Sequence, residues 1–126
     1  MNEQLTEQLH NNYPTIFVDK NAPPTKSLIC FGFECNDGWH WLIDQLCYAL
    51  KTYIESHPDV PTVVAIQVKE KYGGLRFYYY GGNEFTDRIV SFYETLSELV
   101  CEKCGSTDGV SQTQGGWIST SCEKCL

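Results

Sequence analysis

The sequence predicts an α+β domain, with helices packed on a small antiparallel sheet formed by a β-hairpin, followed by a C-terminal four-cysteine zinc ribbon. Three observations predict it. An apolar stripe at helical spacing runs through Trp39, Leu42, Ile43, Leu46, Leu50 and Ile54. Two strand-like runs, 62–68 and 75–80, flank the turn-forming pair Gly73-Gly74. The tetrapeptide Cys101-Glu-Lys-Cys104 recurs as Cys122-Glu-Lys-Cys125. Residues 1–100 are expected to form the domain and 101–126 a ribbon docked on it.

Taken in order, residues 2–12 read as a short helix with Leu5 and Leu9 on one side, ended before Tyr13-Pro14 because proline pushes its predecessor out of the helical region. Asn21-Ala-Pro-Pro-Thr25 is a loop, and residues 28–33 read as a short extended segment. Asp37 is expected to cap the long helix that carries the Trp39–Ile54 stripe, with His40 and Asp44 on its solvent side. His57-Pro58 and Pro61 close it. After the hairpin, Gly81-Gly82-Asn83 ends the strand. A second long helix over 84–100 then turns Phe85, Ile89, Phe92, Tyr93, Leu96 and Leu99 inward and delivers the chain into Cys101.

Composition narrows the function classes. The 126 residues are 42% hydrophobic and 20% charged, as in a chain that buries a core. A formal charge of −7 argues against a general phosphate-backbone binder. No apolar run reaches the ~20 residues a membrane helix needs, and the polar, acidic start Met1-Asn-Glu-Gln-Leu-Thr-Glu7 does not resemble a secretory signal. The expected location is the cytoplasm, where thiols stay reduced, so the seven cysteines point to metal rather than to disulfides. Cys47 fits a small buried hydrophobe, whereas Cys30 and Cys35 are equally compatible with burial and with exposure.

The two C-x-x-C pairs are separated by seventeen residues, a paired-knuckle spacing. Four soft thiolates satisfy Zn²⁺ in a tetrahedron and leave no coordination position for water, so Cys101, Cys104, Cys122 and Cys125 are expected to hold a structural ion. Gly105 suits the first knuckle, Lys103 and Lys124 partly offset the thiolate charge, and Gly115–Thr120 reads as a turn and strand covering the metal.

Two further constellations stand out. Glu34, Cys35, Asp37 and His40 bring carboxylates, a thiol and an imidazole within seven residues, either as a small enzyme's site or as an ordinary helix start. Lys69, Lys71 and Arg76 concentrate three of the nine cations at the hairpin tip of an acidic chain, either as a binding surface or as a solvated turn. Tyr78-Tyr79-Tyr80 should alternate across the sheet.

Together, Tyr13-Pro-x-Ile16-Phe17, Phe31-Gly-Phe-Glu-Cys-x-Asp-Gly-Trp39, Gln67-Val-Lys-Glu-Lys-Tyr-Gly-Gly-Leu-Arg-Phe77 and Cys101-Glu-x-Cys104-Gly105 with Gly115-Gly-Trp-Ile-x-Thr120 resemble a family of small proteins encoded largely by bacteriophages and prophages, with a C-terminal ribbon of this kind. The resemblance spans nearly the whole chain, although many relatives look longer between the first long helix and the hairpin. It implies a phage or prophage origin and brings no catalytic activity with it. Glu34, Asp37, Lys69, Lys71 and Arg76 match it and become candidates for a shared interaction surface. The expected function is a non-enzymatic, zinc-binding partner of a host or phage macromolecule, including a host defence complex. The partner is expected to be a protein. The alternatives are a nucleic-acid-binding ribbon, disfavoured by the acidic charge, and a small enzyme using the Glu34/Asp37/His40 region.

Overall fold

The computed structural model covers residues 1–126 and shows the α+β architecture the sequence predicts. Helix α1 (Glu3–Asn12) is capped by the Asn2 side chain, which accepts from the Leu5 N–H at 2.8 Å, and it buries Leu9 completely. It ends at Tyr13, immediately before Pro14. Helix α2 (His40–Ser56) buries the expected stripe, including Leu42, Ile43, Leu46 and Leu50.

Strands β2 (Val64–Lys71) and β3 (Gly74–Tyr80) form the expected antiparallel hairpin, pairing Val68 with Phe77 and Lys69 with Arg76. A two-residue strand β1 (Phe33–Glu34) joins the other edge of β2 in parallel, opposite Val68 and Lys69. The sheet order is therefore β1-β2-β3. Val68, Leu75 and Phe77 share one core with Trp39, Leu42 and Leu46, which puts the helices on that face. By alternation, Glu34, Lys69, Arg76 and Tyr78 lie on the other face. Tyr79 points to the helices and bonds Thr86, so Tyr78 and Tyr80 are the outward pair.

Helix α3 (Glu84–Leu96) lies against β3 and closes that strand's free edge. The Leu75 N–H donates to Ser97 Oγ and the Phe77 N–H to Glu94 Oε2, both at 2.9 Å. Satisfying these edge donors removes a template for pairing with another chain.

Four sequence expectations change. Residues 28–31 form a 3₁₀ turn rather than an extended segment: Ser27 Oγ caps it by accepting from the Ile29 N–H, and Gly32 at φ +74° ends it. The hairpin turn is Tyr72-Gly73, at φ +52° and +81°, one residue earlier than Gly73-Gly74, because the strand register continues to the Lys71–Gly74 pair. The Asp37 side chain caps nothing in its own helix and instead accepts from the Asn2 backbone and side-chain amides at 2.7 and 3.1 Å. Finally, α3 stops at Leu96 and its buried face carries Thr86 and Val90, with Ser97 just beyond. Phe85, Phe92 and Leu99 are exposed. The Asn83–Thr86 capping box fixes the helix's phase, and the small Thr, Val and Ser side chains let it approach β3 closely.

Candidate metal centre

After a 3₁₀ turn at Ser97–Leu99, the chain enters a ribbon of two short antiparallel strands, β4 (Val110–Gln112) and β5 (Thr120–Cys122). The first knuckle is closed by the Gly105 N–H donating to the Cys101 carbonyl at 2.8 Å, with Gly105 at φ +82°. The Cys101 N–H in turn donates to Ser106 O at 2.8 Å. The second knuckle is the 3₁₀ turn Glu123–Cys125 that follows β5. These two turns bring the sulfurs of Cys101, Cys104, Cys122 and Cys125 within 4.8 Å of one another.

Cys104 Sγ and Cys122 Sγ are 3.6 Å apart, and no cysteine is in a disulfide. That separation is far beyond an S–S bond of ~2.05 Å. It is close to the ~3.8 Å edge of a tetrahedron with metal–sulfur bonds of ~2.3 Å. The donor set therefore fits one four-coordinate ion. Cys101 and Cys122 are buried, Cys125 is half-buried and Cys104 is exposed, so the site has a deep side and an outer side. Burial opposes charging Cys101, but the N–H groups of Cys122, Cys104 and Lys103 outweigh it and pull the thiol down to about 6. Hydrogen bonds with Cys122 and Cys104 hold the Cys125 thiol up to about 12. An ion of soft, divalent character binds such sulfurs as thiolates and displaces their protons. Lys103 Nζ donates to the Cys125 carbonyl at 2.9 Å and so joins the two knuckles.

The ribbon is tied to the rest of the chain at two places. At the start of α2, the Gly38 N–H donates to Glu102 O at 2.7 Å, the Asn36 N–H to Glu102 Oε2 at 3.0 Å, and Trp39 Nε1 to Val100 O at 2.9 Å. Gly38 is required there, since an added Cβ would lie 2.3 Å from Cys101 O and 2.4 Å from Glu102 O. At the hairpin tip, Thr120 Oγ1 donates to the Gly73 carbonyl, and a Cβ on Gly73 would meet Gln112, Ile118 and Thr120. Glu102 and Thr120 stand in the sequence only as members of the ribbon motifs, and nothing there gives them these docking roles, since neither belongs to a periodic stripe. Trp117 does not cover the metal: it is 80% exposed on the Gly115-Gly116 loop.

The candidate interaction residues separate into two groups. Glu34, Lys69 and Arg76 stand side by side across β1, β2 and β3, with Lys71 two positions farther along β2. Lys69 and Lys71 therefore belong to the strand, and the turn itself is docked on the ribbon. Neither they nor Arg76 takes part in any of the chain's three ion pairs, Lys26–Asp19, Lys51–Glu55 and Arg88–Glu84. Lys71 Nζ sits over the exposed Tyr72 ring at 5.8 Å, and Glu34 accepts from Gln67 Nε2 at 3.0 Å. Asp37 is outside this row, held by Asn2. Cys35 is buried, which pushes its thiol up to about 12 and keeps it protonated. Cys30 is half-buried, with its sulfur 3.5 Å from Ser27 O. No helix is long and apolar enough to cross a membrane.

No protein-family model, curated protein or solved structure matches the chain.

Proposed function

We propose that the chain is a non-enzymatic zinc protein that binds an acidic surface of a partner protein through the outer face of its three-stranded sheet. The observation that carries this is the row of Lys69, Arg76 and Lys71, three cations without ion-pair partners on a chain of net charge −7. Cations held on paired strands outside any ion pair are available to a partner without first breaking a salt bridge, and they steer it. Zinc is the metal that four thiolates in a closed tetrahedron suit best. Its role is structural: it fixes the ribbon, and the ribbon holds the hairpin whose strands carry the cations. The phage or prophage setting implied by the motif resemblance makes a host complex, including a defence complex, the target class to examine first.

Affinity capture on immobilised protein tests the reading. Wild-type chain should retain a partner that elutes with salt and is lost with Lys69→Glu/Arg76→Glu. A retained set identical for wild type and the double variant would overturn it. A second reading, nucleic acid on the same face, is favoured by Tyr78, whose exposed ring lies next to Arg76 at the end of this row and could stack on a base. Salt-dependent gel shifts decide it: no shift at low salt removes that reading.

A further inference from the structure

The helical layer, on the opposite side of the sheet from the cations, carries an unpartnered apolar face. Trp41 and Tyr48 on α2 are seven residues apart, as are Phe85, Phe92 and Leu99 along α3 and the turn that follows it. All five are between 51% and 66% exposed. The two helices run antiparallel side by side. Tyr53, near the end of α2, stacks on Phe85 at 4.6 Å, and Trp39, just before α2, donates to the Val100 carbonyl just beyond α3. The two stripes therefore extend along neighbouring helices. Trp41 and Tyr48 are on the side of α2 opposite its buried Leu42–Leu46–Leu50 face.

We infer that this face is where two copies of the chain meet. Five large side chains exposed to this degree present about 550 Å² per chain, taking roughly 150–250 Å² for a whole aromatic side chain. Two copies would cover about 1,100 Å² before any flanking polar surface is counted, which clears the ~1,000 Å² expected of a specific interface. It is also near the upper end of what a monomer leaves open. Charge favours a second copy over a charged partner. Gln45, Thr52 and Thr95 adjoin the stripes. Of the flanking charged groups, Lys51 pairs with Glu55 and Arg88 with Glu84, while Asp44 and Glu98 accept only from neutral groups, the Tyr13 hydroxyl and the Gln112 amide among them, at 2.8 and 3.5 Å. A two-fold contact between faces whose centres are apolar and whose flanking cations are already paired lets two acidic molecules meet with few like charges opposite each other. Such a dimer would leave both basic sheet faces on its outer sides.

Sedimentation velocity on the metal-loaded chain tests the inference. Wild type should show a species of twice the 14.4 kDa chain mass, growing with concentration. Phe92→Glu and, separately, Trp41→Glu should return it to the monomer mass with circular dichroism unchanged, because both side chains are already solvent-exposed. Phe31→Glu, exposed but off the helical layer, should leave the dimer intact. A wild-type monomer at every concentration would overturn the inference and assign the face to a different partner. A dimer that survives both helix variants would overturn it as well.

Discussion

His10 lies against the rings of Phe17 and Phe33, at centroid distances of 5.5 and 5.6 Å, with its Nε2 buried and without a hydrogen-bond partner. Burial lowers its pKa from the ordinary value near 6.5, and the positive charge of Lys20 lowers it further against a smaller opposing effect of Glu7. The unfolded chain therefore takes up this proton first as pH falls. Stability is fully present above the unfolded value and is lost as pH drops through the folded one. Metal thiolates also protonate in acid, so the informative quantity is a difference. Between pH 7 and 5.5 the urea midpoint of wild type should fall more than that of His10→Phe. Equal falls would show that His10 contributes nothing to the acid limb. At the same scale, Asp37 shows what spacing alone cannot convey. The sequence makes it a helix cap, but a carboxylate one turn before a helix bonds whichever donors reach it, and here those are the amides of Asn2. A contact between residues 2 and 37 leaves no periodic trace.

Docking of the first knuckle against the start of α2 depends on the absence of a side chain at Gly38. Gly38→Ala would push a methyl into the backbone carbonyls of Cys101 and Glu102, at a cost of about 1–3 kcal/mol or more for overpacking that backbone cannot relieve. Gly116→Ala has nothing within 4 Å and meets only the strain of φ +52°, of order 1 kcal/mol. Denaturant midpoints should rank wild type, Gly116→Ala, then Gly38→Ala. The reverse order would mean that this junction is not tight. The elements differ in how much of them the sequence discloses. Helix α2 was legible because its stripe is long and regular, and the hairpin because two β-branched and aromatic runs flank glycine. Residues 28–31 were not, since a short apolar run has no periodicity that separates a strand from a turn. Helix α3 was legible as a helix and only half in phase: Ile89, Tyr93 and Leu96 pack on the core as expected. Hydrophobicity favours Phe85, Phe92 and Leu99, whereas close approach to β3 selects Thr86, Val90 and Ser97. The parallel strand β1, two residues long, depends wholly on a distant partner.

At the scale of the whole molecule, the metal site joins parts that sequence distance separates. The cluster of Cys101, Cys104, Cys122 and Cys125 was the most legible feature, because two C-x-x-C pairs at ribbon spacing suit one four-coordinate ion. Less legible was that the knuckles grip the start of α2 while β5 grips the hairpin tip, through Gly38, Trp39 and Gly73. Through such contacts an ion held by the four cysteines would constrain the basic sheet face as well as the ribbon. A closed four-thiolate site typically contributes folding free energy on the order of 10 kcal/mol, more than the ribbon's half-buried Val110 and Ile118 supply. The most direct test is the metal content of protein purified under reducing conditions without added metal, read by native mass spectrometry alongside a thiol titration. One zinc per chain is expected, with Cys101, Cys104, Cys122 and Cys125 shielded from the thiol reagent until a chelator removes it. Metal well below one ion per chain, with Cys101, Cys104, Cys122 and Cys125 reacting without any chelator, would contradict the account.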